Sequence, residues 1–366
     1  MLIKEMDQKY IVNTYSRFPI LITSGKGSIL KDDKGKEYID MGSGIGVNIF
    51  GVADQEWLKA VTGQLENLQH TSNLYYTEPC ARLAKIMCDR TGMKKVFFSN
   101  SGAEANECAI KAARKYAADK KGKDFNEIIT LKDSFHGRTI TTLAATGQDT
   151  FHKDFLPLTP GFVYAKANDL ADLTARVKEN KTAAIMFEII QGEGGVKPLT
   201  KEFISGMASI AKENDILLII DEVQTGNGRC GSLYSYMDFD ITPDIVTTAK
   251  GLGGGLPIGA TMLGEKVEDV LGPGSHGSTY GGNPISSAAA INVLSRIDQE
   301  LMSKVKEKSQ YIKDELKEAK GVVSVTGRGL MLGIETTRDA SELVGQCMEK
   351  GVLVLTAKDK IRLLPP

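Results

Sequence analysis

Short apolar runs alternate with longer segments of helical spacing from about Lys94 onward: KKVFF, then AEANECAIKAARKYAADKK, EIITL, NDLADLTARVKEN and TAAIMFEI. A helix over 200–213, the run ILLII and then DIVTT follow. Strand and helix taking turns predicts an α/β fold with a mainly parallel sheet covered on both faces. After Asn283 the pattern changes: SSAAAINVLSRI and LMSKVKEKSQYIKDELKEA read as amphipathic helices, and short strands follow around VVSVTG, LMLGIET, VLVLT and IRLL. These predict a smaller α+β lobe. The expected division is an N-terminal segment over 1–50 that belongs to the small lobe and carries a hairpin in LKDDKGKEYID, a large domain over 51–283, and a C-terminal small domain over 284–366.

Composition narrows the function classes. With 366 residues, 42% hydrophobic and 25% charged, the chain can build a full core and more than one lobe. A formal net charge of −1 and the lack of dense basic runs give no pull toward nucleic acid or anionic lipid, so small-molecule chemistry is the default. The cysteines Cys80, Cys88, Cys108, Cys230 and Cys347 are odd in number and lack CxxC spacing, which argues against a disulfide framework or zinc site and points to reducing cytosol. His70, His136, His152 and His276 lie far apart, so no metal is implied. Charge interrupts MLIKEMDQKY too early for a signal-peptide core, and ILLII is too short to span a bilayer, so no membrane association is expected.

Several motifs carry candidate chemistry. Lys250 ends the strand-like run DIVTTAK and opens into KGLGGGLPIG, placing an amine beside a glycine loop that can crowd a ligand. Desolvation there would lower its pKa and make it a Schiff-base nucleophile, whereas most lysines before glycine are simply solvated. Asp221 and Glu222 terminate ILLII, where open α/β sheets bind ligands, and a carboxylate there suits a protonated heterocycle. The same run resembles the magnesium-binding strand of nucleoside triphosphatases, but no GxxxxGK[ST] accompanies it. Gly226, Gly228 and Gly231 fit GxGxxG without the required helix after them, as a chance match would.

Ser101 and Glu104 in SNSGAEANE fit a capping box, and the amides of Gly102 and Ala103 suit a phosphate; the plainer reading is a well-capped helix. SFHGRT offers Phe135 as a stacking face and Arg138 as a fork for a carboxylate, unless both are ordinary loop residues. Glu193 in QGEGG enters the same end of the sheet, and GSTYGGNP brings Ser278 and Thr279 as a second loop suited to phosphate.

Lysine, strand-end aspartate, helix-start phosphate cradle and aromatic loop together describe a pyridoxal-phosphate site. The order and wording of NLYYTEP, SNSGAEANE, FHGRT, QGEGGV, DEVQTGNGR, AKGLGGGLPIGA and GSTYGGNP resemble the class III, fold-type I aminotransferases, from Tyr38 to Arg362. That resemblance implies the fold-type I architecture, with Lys250 as the covalent anchor of the cofactor and the proton shuttle, and Asp221 as the partner of the pyridine nitrogen. It implies Val223 beneath the ring, Gln224 at its phenolic oxygen, Phe135 over the other face, and Ser101, Gly102 and Ala103 at the phosphate, joined by Thr279 from the partner subunit of a homodimer. Arg138 and Ser278 match positions that contact the amino donor, Arg362 the arginine that takes the 2-oxoglutarate carboxylate, and Glu193 the acid that masks it.

Within the family the likeness is nearest to the branch that moves the δ-amine of N-acetylornithine to 2-oxoglutarate, in arginine biosynthesis. Ornithine, succinylornithine, succinyldiaminopimelate and 4-aminobutyrate enzymes and a same-fold aminomutase share most of these motifs, and a nucleotide-binding enzyme is the remote alternative. The sequence departs from the family pattern at GVADQEW from Gly51, in EII where EPI is commoner, and in stopping at Pro366 where relatives continue with further helix.

Overall fold

The computed structural model describes residues 2–366. Its largest sheet has seven strands in the spatial order 95–99, 259–263, 245–248, 217–221, 182–187, 127–131 and 162–165. Six run parallel, and Gly259–Leu263 is antiparallel to both its neighbours. The central strands Thr182–Phe187, Leu217–Asp221 and Ile245–Thr248 are buried along their whole length, which is why they read as continuous apolar runs rather than as alternating ones.

Helix Gly102–Lys121 lies against this sheet through Ala105, Ala109, Ala112, Ala113 and Ala117, all buried. Their small side chains let the backbone come close: Thr261 Oγ1 on the antiparallel strand donates to Ala105 O at 2.7 Å. Because six strands share one direction, the segments after Ser99, Leu131, Phe187, Asp221 and Thr248 all emerge at the same edge, where ligands bind in open α/β sheets.

The hairpin expected near the N-terminus pairs Ile29–Asp32 with Glu37–Asp40, and Ile22–Lys26 adds a third strand. The fourth strand of this sheet comes from the far end of the chain: Val352 and Leu353 pair in parallel with Ile39 and Asp40. A second four-stranded sheet, in the order 322–328, 331–336, 360–363 and 355–357, carries Arg362 on its third strand, with helix Ala340–Glu349 packed on it through Val344.

One expected boundary divides elements that pack together. Helix Pro284–Arg296 follows Asn283, yet Ala290, Val293 and Leu294 bury into the large core, and Arg296 makes a bidentate pair with Asp54 at 2.5 and 3.0 Å. By packing, the large body therefore includes this helix. Amphipathicity marked it as a helix but carried no information on which lobe its apolar face meets. Among the described residues no helix is long and apolar enough to cross a membrane.

Candidate active site

A cavity of about 420 Å³ opens at the carboxyl edge of the large sheet. Lys250 lines it from the turn after Ile245–Thr248, with a backbone φ of 44°, a left-handed conformation unusual for a residue with a Cβ. Asn227 Nδ2 fixes the approach by donating to Thr248 Oγ1 at 2.9 Å and Ala249 O at 3.1 Å. Enclosure lowers the amine's pKa below the ordinary lysine value; the carboxylates of Glu193 and Asp221 oppose that shift and the Arg362 guanidinium reinforces it. The desolvation expected from the glycine loop is therefore realised.

Asp221 is pinned from three sides. Oδ2 accepts from Asn106 Nδ2 and lies against His136 Nδ1, both at 2.8 Å, and Oδ1 accepts from Val223 N at 3.0 Å. Asn106 is itself satisfied, donating to His136 O at 2.8 Å and accepting from Thr247 Oγ1 at 2.7 Å. Glu222 takes no part. Its carboxylate turns into the protein and accepts from Thr225 Oγ1, Ser235 Oγ and Tyr236 N at 2.6, 2.7 and 2.8 Å, organising the turn after the strand.

Ser101 caps helix Gly102–Lys121 by accepting from Glu104 N at 3.2 Å. The return half of the capping box is displaced by one residue: the Glu104 carboxylate accepts from Asn100 N at 2.9 Å and from Ser101 Oγ at 3.0 Å. Gly102 owes its identity to a neighbour as well as to the helix start, since a Cβ there would lie 2.7 Å from a methyl of Val223. Val223 and the first turn of the helix consequently meet backbone to side chain at the cavity wall.

Phe135 and Arg138 line the cavity together. The Arg138 guanidinium lies over Phe151, 4.3 Å from the ring centroid, and within 5.6 Å of Phe135. Beyond Gln224, Arg362 Nη1 donates to Glu193 Oε1 at 2.6 Å and to Gln224 Oε1 at 3.2 Å. Burial, the largest single influence, works against the charge on Glu193, but Arg362, Lys250 and Gln224 together hold the carboxyl below its ordinary value.

Ser101, Gly102, Ala103, Phe135, Arg138, Asp221, Val223, Gln224 and Lys250 thus meet around one cavity. Glu193 and Arg362 stand behind Gln224, bonded to each other. Ser278 and Thr279 do not enter the cavity of their own chain: the Ser278 hydroxyl accepts from Asn100 Nδ2 at 3.2 Å and Gly281 N at 3.0 Å, and Thr279 faces solvent. Three residues of the site escaped the sequence reading. Asn106 is a polar residue on an alanine-lined helix face, His136 is buried between Phe135 and the loop to Arg138, and Glu188 closes an apolar strand just as Asp221 does. A charged residue ending a buried run was the signal that would have found Glu188.

These residues fit pyridoxal phosphate. The cavity offers an amine of lowered pKa, a pinned carboxylate, the free amides at a helix start, and an aromatic and an aliphatic wall for a planar ring. Comparison with known proteins agrees. The family Aminotransferase class-III matches residues 10–366. An acetylornithine aminotransferase of Haemophilus ducreyi is 50% identical over 366 residues, covering 100% of this chain and 93% of its own. One from Aquifex aeolicus is 48% identical over 359 residues, covering 98% and 94%. The solved ornithine aminotransferase of Toxoplasma gondii, whose structure reveals partial occupancy of PLP at the active site, superposes with a TM-score of 0.94 at 31% identity, over 99% of this chain and 89% of that one. The lysine, the pinned aspartate and the masked arginine lie in a chain that belongs to the class III aminotransferases, enzymes dependent on pyridoxal phosphate.

Proposed function

We propose that the protein transfers the δ-amino group of N2-acetyl-L-ornithine to 2-oxoglutarate by a ping-pong route, giving N-acetylglutamate 5-semialdehyde and L-glutamate. The observation that carries this reading is a pair of arginines in different states: among the described residues Arg138 is held only by aromatic faces, while Arg362 is covered by Glu193. A donor with one carboxylate needs one open arginine, and a dicarboxylate acceptor needs the second, which it reaches by displacing Glu193. The 50% identity to an acetylornithine aminotransferase supports the choice of donor.

Pyridoxal phosphate, when bound, supplies the electron sink. Lys250 Nζ, its pKa lowered by enclosure so that the neutral amine is accessible, takes the proton from the donor's δ-carbon and later returns a proton to the acceptor's α-carbon. Asp221, fixed by Asn106, His136 and its own turn, presents a negative charge to a protonated ring nitrogen. Gly102 and Ala103 would hold the phosphate at the helix start, and Gln224, which also touches Arg362, would bond the ring oxygen.

The working form in this reading is a cytoplasmic homodimer in which Thr279 reaches the partner's phosphate. Exposed Leu74, Tyr75, Tyr76 and Tyr280 form an apolar surface suited to a second copy, and Asn73 ties their loops by donating to Ser278 O at 3.0 Å and Gly281 O at 3.1 Å. Donor profiling with 2-oxoglutarate as acceptor tests the substrate. Acetylornithine should give the highest kcat/KM among acetylornithine, ornithine, succinylornithine and 4-aminobutyrate. Arg138→Ala should cost about 2–4 kcal/mol with acetylornithine and far less with N-acetyl-1,4-diaminobutane, which lacks the carboxylate. Equal losses with both amines would remove Arg138 from that role.

A further inference from the structure

Glu188 lies 5% exposed at the end of the central strand Thr182–Phe187, beside the cavity. Its two oxygens serve different loops. Oε1 accepts from Phe135 N at 2.9 Å, and Oε2 accepts from Gly192 N at 3.2 Å. Phe135 begins the segment that ends in Arg138, and Gly192 immediately precedes Glu193. One planar group therefore spans the loop of the open arginine and the loop that masks the other.

A neutral acceptor would satisfy either amide at lower cost, because a buried carboxylate beside the charge of Asp221 is unfavourable. Burial, the largest influence, and Asp221 together push the Glu188 carboxyl up to about 7, against the opposing effect of His136. What distinguishes a carboxylate is symmetry. It accepts at both oxygens, whereas glutamine accepts at one and presents a donor at the other. Its seat on a strand buried along its whole length gives both loops a common rigid origin.

We propose that Glu188 is a positioning residue, a strut that sets the donor-binding loop at Phe135–Arg138 and the acceptor-gating loop at Gly192–Glu193 in fixed relation to each other. The proposal rests on the transaminase reading above. It makes the two substrate sites geometrically dependent on one side chain that touches neither substrate.

Glu188→Gln and Glu188→Ala, made in the holoenzyme, test it. Glutamine retains one acceptor, so one of the two KM values, for acetylornithine or for 2-oxoglutarate, should rise about tenfold while the other stays within about twofold; alanine should raise both about tenfold. Hydrogen exchange supplies a readout independent of turnover: the Phe135 and Gly192 amides should both exchange faster in the alanine variant and only one in the glutamine variant. Cofactor affinity, followed by quenching of the single tryptophan, Trp57, should weaken in the alanine variant because Phe135 is released. Unchanged KM values and exchange rates, or a fall in kcat alone with both KM values intact, would overturn the strut. If alanine fails to fold, the glutamine split decides. A wild-type enzyme that transaminates none of the amines would instead sink the functional reading, and amide exchange would still judge the strut.

Discussion

In the proposed reaction, Glu193 and Arg362 would place a competitor inside the acceptor site, because the carboxylate bonded to the arginine would have to be displaced by that of 2-oxoglutarate. Glu193→Gln keeps the shape and removes the competing charge. The KM for 2-oxoglutarate should therefore fall about tenfold, and L-glutamate should improve as a donor relative to acetylornithine in steady-state kinetics. Glu188 supplies the pH dependence. Its folded-state pKa is raised from the ordinary 4.5 to about 7 by burial, in a pocket faced by His136, Asp221 and Lys250. Between those values the native state binds more protons than the unfolded chain, so this group's contribution to stability declines as pH rises and its full penalty stands above about 7. The full loss is about 3 kcal/mol, and Glu188→Gln should flatten the fall in Tm from about pH 5 to about pH 8. An equally steep fall in the variant would assign the slope to other groups, such as buried Glu222, whose pKa burial also raises.

At the level of elements, the start of helix Gly102–Lys121 and the turn after Leu217–Asp221 are fitted to each other without a spare methyl. Gly102→Ala would press a Cβ against Val223, at 2.7 Å, and overpacking of this kind costs about 1–3 kcal/mol. The expected result is cofactor affinity weakened about tenfold, with Val223→Ala in the same chain recovering most of it, measured by Trp57 fluorescence titration. Elements with long or wholly apolar runs were legible in the sequence: the five strands from KKVFF to DIVTT, the capped helix after SNS, and the N-terminal hairpin. Strand Phe162–Ala165 was not, because it is short and only half-buried at the sheet edge. Gly259–Leu263 escaped because GATML follows a glycine loop and its antiparallel direction is set by partners far away in the chain. In the site, strand-end Asp221 and Lys250 stood out by their position after apolar runs. Asn106 and His136 did not, since their partners lie 115 and 85 residues away and no local pattern records them.

For the whole molecule, the reading of a shared site predicts that cofactor and dimer stabilise each other, because a ligand held by two subunits binds only the assembled form. Sedimentation of holo and apo protein across dilution should show the apo dimer dissociating at higher concentration, and Thr279→Ala should narrow the difference. A fully active monomer would end the idea. The parallel pairing of Val352 and Leu353 with Ile39 and Asp40 carries a consequence for the order in which the chain becomes complete during synthesis. The N-terminal hairpin leaves the ribosome about three hundred residues before the strand that closes its open edge, a wait of roughly 15–60 s at ordinary translation rates. Through that interval the edge at Glu37–Asp40 is an unpaired template, and charge at Asp32, Asp33, Lys34, Lys36 and Glu37 discourages other strands from adding to it. The sheet bearing Lys250 and Asp221 is finished by Leu263, whereas Arg362 follows about a hundred residues later. Limited proteolysis of nascent chains stalled after helix Pro284–Arg296 should therefore find the large sheet protected and the N-terminal hairpin still cleavable.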